Sequence, residues 1–207
     1  MKKKPILLSK VLANRKSITR KVIGLIGAHQ GAGVTYTGIM LAFYMAEEMG
    51  RKTALLECNN SHDLDLFENA YEWSSEDTST YSFGGITCFK SVSDYQIAEI
   101  LSENYDCIIL DFGSDLMRNR EEFLRCTTKL VIGGHAWWNR QKTIRFIGTI
   151  KSIRGNDTWH YLIPFAGRRE LSSMKKELGR PFNAVPYETD PTRLSKETIN
   201  LFHRLVG

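Results

Sequence analysis

Residues Gly24 to Ala42 read "GLIGAHQGAGVTYTGIMLA". An apolar run enters a turn that holds Gly27, Gly31 and Gly33, and a helical pattern leaves it. Glycines let a chain turn so that successive N–H groups face one point. With the positive end of the following helix, those groups cradle an anion. A phosphate loop of this kind carries a lysine followed by a hydroxyl. Here Val34 stands at the lysine's place and Thr35 supplies the hydroxyl. The cradle is backbone, so valine removes a cation without removing the cradle. Each charge-assisted hydrogen bond contributes about 1.5–3 kcal/mol, so several amides hold a polyphosphate unaided. Gly31, Ala32, Gly33 and Val34 are the expected amide donors, and His29 is a further phosphate contact when protonated, or else a loop histidine exposed to solvent. The alternative reading is a tight structural turn.

Outward from this loop, apolar runs and helical patterns alternate. "KVIGLIG" (21–27), "KTALLE" (52–57), "GITCFK" (85–90), "DCIILDFG" (106–113), "KLVIGG" (129–134), "WHYLIPF" (159–165) and "FNAVP" (182–186) read as strands. Helices are predicted over 34–49, 91–105, "NREEFLRC", "WNRQKTIRFIGTIKSI", "ELSSMKKEL" and "TRLSKETINLFHRLV". Strands apolar on both faces, separated by helices, imply an α/β fold: a doubly wound, mostly parallel sheet covered on both sides. Residues 58–84 are polar and read as an elaborated loop at the rim, with "SSEDTSTYS" its least regular part. No internal repeat and no linker interrupts residues 21–207, which are read as one domain.

The chain has 207 residues and a net charge of +5. Residues 1–21 hold eight Lys and Arg and no acid, so the other 186 residues carry a net −3. Residues 1–20 are read as a basic N-terminal arm suited to peripheral contact with an anionic membrane, or as a solvated tail. Nucleic acid is not the expected partner. No run of about 18 apolar residues suggests a membrane span. Cys58, Cys88, Cys107 and Cys126 form no CxxC pair. Cys58 and Cys107, in or beside apolar strand-like runs, are expected as reduced, buried thiols in a cytoplasmic protein.

In a parallel sheet, ligands lie beyond the carboxyl ends of the strands. Two further loops there carry chemistry. "TALLECNN" ends on Glu57 and Asn59, and "YDCIILDFG" ends on Asp111 followed by Gly113. A carboxylate at a strand end beside a phosphate loop holds Mg²⁺. Thr35 and Asp111 are therefore the candidate metal ligands, and Glu57 and Asp111 the candidate catalytic acids. A helix or turn cap is the other reading of Asp111.

These residues resemble the MinD/ParA group of P-loop ATPases. "KVIGLIGAHQGAGVTYTGIMLAFYMAEEMGRKTALLE" is similar to that group's opening almost element by element, and "YDCIILDFG" resembles its Walker B strand. The group's loop has the form K-G-G-x-G-K-T-T. Laid on it, His29 takes the place of the signature lysine that reaches across the dimer, and Val34 that of the phosphate lysine. Gly31, Gly33 and Thr35 match. Asp111 falls on the magnesium-side aspartate. The family's second strand usually ends Asp-x-Asp, where Glu57 and Asn59 stand here. The resemblance implies ATP or ADP with Mg²⁺ as cofactor, and a homodimer or larger protein assembly as partner. Losing two cations and a water-orienting acid costs powers of ten in hydrolysis rate. A degenerate homologue similar to TadZ/CpaE-like proteins, assembly or localisation factors of pili and secretion systems, is the resulting expectation. The alternatives are an active, unusual ATPase in which His29, Arg140 or Lys142 replaces the lysine, and a scaffold with an empty loop.

Two more features need placing. Trp137 and Trp138 precede "NRQK" and are read as capping the core, with a partner-binding patch as the alternative. Ile199, Phe202, Leu205 and Val206 lie at helical spacing in the last helix, read as core packing instead of a lipid anchor.

Overall fold

The computed structural model describes residues 19–71 and 79–207. The basic arm, apart from its last two residues, and the centre of the 58–84 stretch lie outside the described residues.

Among the described residues, eight strands form one sheet in the order β3-β4-β2-β5-β1-β6-β7-β8. They are β1 (Lys21–Gly27), β2 (Thr53–Glu57), β3 (Thr80–Phe83), β4 (Ile86–Phe89), β5 (Cys107–Asp111), β6 (Thr128–Ile132), β7 (His160–Pro164) and β8 (Asn183–Val185). All pairings are parallel except β3 against β4. β2 and β5 are buried along their whole length, as uninterrupted apolar strands covered on both faces must be. β1 lies at the centre, flanked by β5 and β6.

Among the described residues, seven α-helices cover the sheet: α1 (Val34–Phe43), α2 (Asp63–Ala70), α3 (Asp94–Ser102), α4 (Arg120–Arg125), α5 (Trp137–Ile150), α6 (Arg168–Leu178) and α7 (Lys196–Val206). On one face, Ile39 and Phe43 of α1, Leu64 and Phe67 of α2, and Leu201, Phe202 and Val206 of α7 pack on Ile23, Leu25, Leu55 and Ile109. On the other, Ile97, Phe123, Ile147 and Met174 of α3 to α6 pack on Ile26, Leu56, Ile108 and Val131. The fold is the doubly wound, mostly parallel sheet expected.

Three details depart from the expectation. The first helix ends at Phe43 and continues as one π-helical turn, Tyr44–Glu48, which ends just before Gly50 with its φ of +61°. The 58–84 stretch contains a helix and an edge strand, α2 and β3. Only Leu64 and Phe67 of α2 are buried, too few for a periodic signal, and β3 pairs on one side alone. Trp137 and Trp138 are not core residues: they are 79% and 71% exposed. The buried stripe of α5 runs through Thr143, Ile147 and Ile150, and the two indoles project off that line. The last helix is core, as read: Phe202 is fully buried and its ring centroid lies 5.7 Å from that of Tyr44. All four cysteines are buried.

Candidate functional site

The loop from β1 to α1 turns through Gly31 and Gly33, whose φ angles are +74° and +90°. L side chains rarely occupy this region, so glycine is what lets the loop close. The Gly27 N–H donates to Gly113 O at 2.7 Å and the Ala28 N–H to Ile132 O at 2.7 Å. These bonds tie the loop's base to the chain beyond β5 and β6. Ala32 is not a free donor: its N–H is spent inside the loop on His29 O at 3.2 Å. Among the described residues, the N–H groups of Gly31, Gly33, Val34 and Thr35 have no such partner. They sit at the N-terminal end of α1, where the helix dipole adds to their pull on an anion.

Val34 is buried, and a Cβ placed on Gly27 would lie 2.9 Å from one of its methyls. The valine therefore lies under the loop, against β1. The loop lines an open cleft of about 950 Å³, at the upper end of the size range of small-molecule sites.

Thr35 and Asp111 meet on the floor of this site. The Thr35 hydroxyl donates to Asp111 Oδ2 at 2.6 Å, with Asp63 Oδ2 3.2 Å away. The other Asp111 oxygen accepts from Gly113 N at 2.9 Å and from Asn59 Nδ2 at 3.1 Å. Burial pushes the Asp111 carboxyl up to about 6. The hydrogen bonds from Thr35 and Gly113 oppose that rise, and the charges of Glu57 and Asp63 add to it. A hydroxyl and two carboxylates form the hard oxygen set that suits Mg²⁺.

Glu57 is paired in register with Asp111 but does not line the cleft. It is fully buried. One oxygen accepts from Ser61 Oγ at 3.1 Å and Leu64 N at 3.3 Å, the other from Ser91 N at 3.3 Å. It holds the start of α2 to the turn after β4. His29 lines the cleft yet is buried, with Nδ1 2.8 Å from Gln30 O. Its Nε2 is buried with no hydrogen-bond partner, beside the Cα of Gly134. With Nδ1 facing the Gln30 carbonyl, Nε2 of the neutral ring is an acceptor, so only the imidazolium could donate from it to an anion.

Arg140 and Lys142 lie elsewhere. The Arg140 guanidinium pairs with Glu177 and donates to Ser173 Oγ at 2.9 Å, Lys142 is exposed on α5, and neither lines the cleft. Among the described residues, Arg118 is the only Lys or Arg that does. The sequence reading missed Arg118 and Asp63, since both stand in irregular segments with no motif around them. Asp63, two residues after the Ser61 that caps onto Glu57, could have been found as the acid opening α2.

No family model and no curated protein matches the sequence. Solved structures do match. A putative plasmid partition protein from Borrelia burgdorferi bound to AMPPNP superposes with a TM-score of 0.62 at 13% identity, covering 91% of this chain and 97% of that one. The MinC:MinD cell division complex of Aquifex aeolicus gives 0.65 at 14%, covering 89% and 95%. The septum site-determining protein MinD of Pyrococcus horikoshii, complexed with Mg-ADP, gives 0.58 at 14%, covering 90% and 94%. At these identities the likeness establishes the fold: that of MinD- and ParA-type P-loop ATPases.

Proposed function

We propose that this chain is a degenerate MinD/ParA-like nucleotide-binding protein. It holds ATP or ADP with Mg²⁺, turns it over slowly or not at all, and works by docking to a second copy or a larger assembly. Pilus and secretion machineries are the class of assembly that the TadZ/CpaE-like resemblance indicates. The observation that carries the reading is a divided site: the Thr35–Asp111 pair keeps the oxygen set for Mg²⁺, while the loop above it has lost its ammonium group to a buried valine. The neighbours bound to AMPPNP and Mg-ADP, and the one in complex with MinC, support the nucleotide and the docking partner.

In this reading Gly31, Gly33, Val34 and Thr35 offer main-chain N–H groups to the phosphates, with His29 as a further contact when protonated. Mg²⁺, when bound, neutralises phosphate charge; Thr35, Asp111 and Asp63 are the residues to hold it. Glu57 acts as a support for α2. Asn59 gives its amide to Asp111 and leaves no carboxylate there to orient water.

One observation favours a second reading, an active ATPase: Arg118 lines the cleft and supplies a cation that His29 alone does not. Isothermal titration with ATP and Mg²⁺, followed by a phosphate-release assay on the same sample, separates the two. Binding without release supports the first. Release that Arg118→Ala abolishes supports the second. No heat at millimolar nucleotide sinks both.

A further inference from the structure

The charge of the described residues is concentrated on one stretch. Residues 140–180 hold ten Lys and Arg against Asp157, Glu170 and Glu177, a net +7 in a chain whose total is +5. This stretch comprises α5, β7 and α6, and the two helices cover the same face of the sheet. The Arg140–Glu177 pair joins them side by side.

The helical period sorts these cations. On α5 the core-facing residues are Thr143, Ile147 and Ile150. Trp138, Lys142 and Arg145, at i, i+4 and i+7, share the opposite, outward line. On α6 the buried Met174 sets the core direction, and Arg169 and Lys176, at i and i+7, stand on the outward line. Lys142, Arg145, Arg169 and Lys176 are all exposed and enter no ion pair among the described residues. Trp138 is 71% exposed and Trp137, beside it, 79%. Two bare indoles at the head of a cationic helix line leave apolar surface in water that no described residue covers.

We propose that the outward face of α5 and α6 binds an anionic bilayer surface, with Trp137 and Trp138 seated at headgroup level. Indoles belong there, since the ring is apolar and its N–H is polar. Lys and Arg beside an anionic leaflet each strengthen partitioning about fivefold. Nucleic acid fits less well. A single strand is held in a groove, and this is a pair of helix surfaces. A duplex gripped by its phosphates gains nothing from an indole on the contact line. The proposal is independent of nucleotide binding and of the basic arm.

The test is co-sedimentation of the full chain with phosphatidylcholine vesicles, with and without phosphatidylserine. Binding is expected only with phosphatidylserine, accompanied by a blue shift of tryptophan emission. Combining Lys142→Glu, Arg145→Glu, Arg169→Glu and Lys176→Glu should weaken it a hundredfold or more. Trp138→Ser should weaken it about tenfold and reduce the blue shift. These positions are exposed, so an unchanged thermal melt confirms that each variant folds. Reversing Lys2, Lys3, Lys4 and Lys10 to Glu controls for the arm and should leave the blue shift in place. The proposal is overturned if the fourfold helix variant binds like the parent, if the arm reversal alone removes both signals, or if the chain ignores vesicles and retains a DNA duplex in their place.

Discussion

The Thr35 hydroxyl donates to Asp111 at 2.6 Å across 76 residues of chain. The contact joins the first turn of α1 to the end of β5. It exists because β1 and β5 are neighbours, with Leu25 in register with Asp111. Asp111 is buried with no cationic partner among the described residues, and its carboxyl is pushed up to about 6 by that burial.

The consequence for stability has a definite sign. An unfolded aspartate titrates near 3.9, so between about pH 4 and 6 the folded chain binds more protons than the unfolded one. Stability from this group therefore falls as pH rises through that window, by about 3 kcal/mol in all. Asp111→Asn should remove this part of the pH dependence and, without Mg²⁺, melt higher than the parent at pH 7. Added Mg²⁺ and ADP should raise the melting temperature of the parent and not of the variant. Thermal melts at pH 4 and 7 check both.

Asn59 donates its amide to the Asp111 carboxylate at 3.1 Å. Asn59→Asp replaces a donor with a second negative charge at hydrogen-bond distance. A loss of about 1–3 kcal/mol at pH 7 is expected, most of it recovered on adding Mg²⁺. Urea titrations with and without the metal measure this.

Val34→Lys returns an ammonium to the loop. Affinity for ATP should rise about tenfold to a hundredfold, since hydrogen bonds to charged groups are worth about 1.5–3 kcal/mol. Phosphate release should stay low, because Asn59 still supplies no acid. Titration and a release assay on the one variant read the two effects separately.

Phe202 is fully buried against Tyr44. Phe202→Ala should cost about 3–5 kcal/mol. A lipid anchor would lose membrane binding with little change in stability, so a urea midpoint distinguishes the roles of α7.

Much of this was legible in the sequence. The order of elements follows from β1, β2, β5 and β6 being apolar throughout, and the meeting of Thr35 with Asp111 from the family resemblance. Side-chain direction was not legible. Glu57 ends a strand as a catalytic acid would, yet it caps α2 and Ser91, because Leu64 N and Ser91 N reach it first. Trp137 and Trp138 look like core residues by type, and only the phase of the α5 stripe turns them outward. Arg118 gained its place by the path of the chain after β5, which no local pattern encodes.

The central claim is that main-chain amides of the loop hold phosphate without an ammonium group. Amide chemical shifts of the isotope-labelled chain, followed through an ADP and Mg²⁺ titration, test it residue by residue. Saturable shifts at Gly31, Gly33, Val34 and Thr35, with little change in the α5 outer face, are the expected result. If those four resonances stay fixed up to about 1 mM nucleotide, a ceiling that already corresponds to weak binding of about −4 kcal/mol, the loop grips nothing and the claim is wrong.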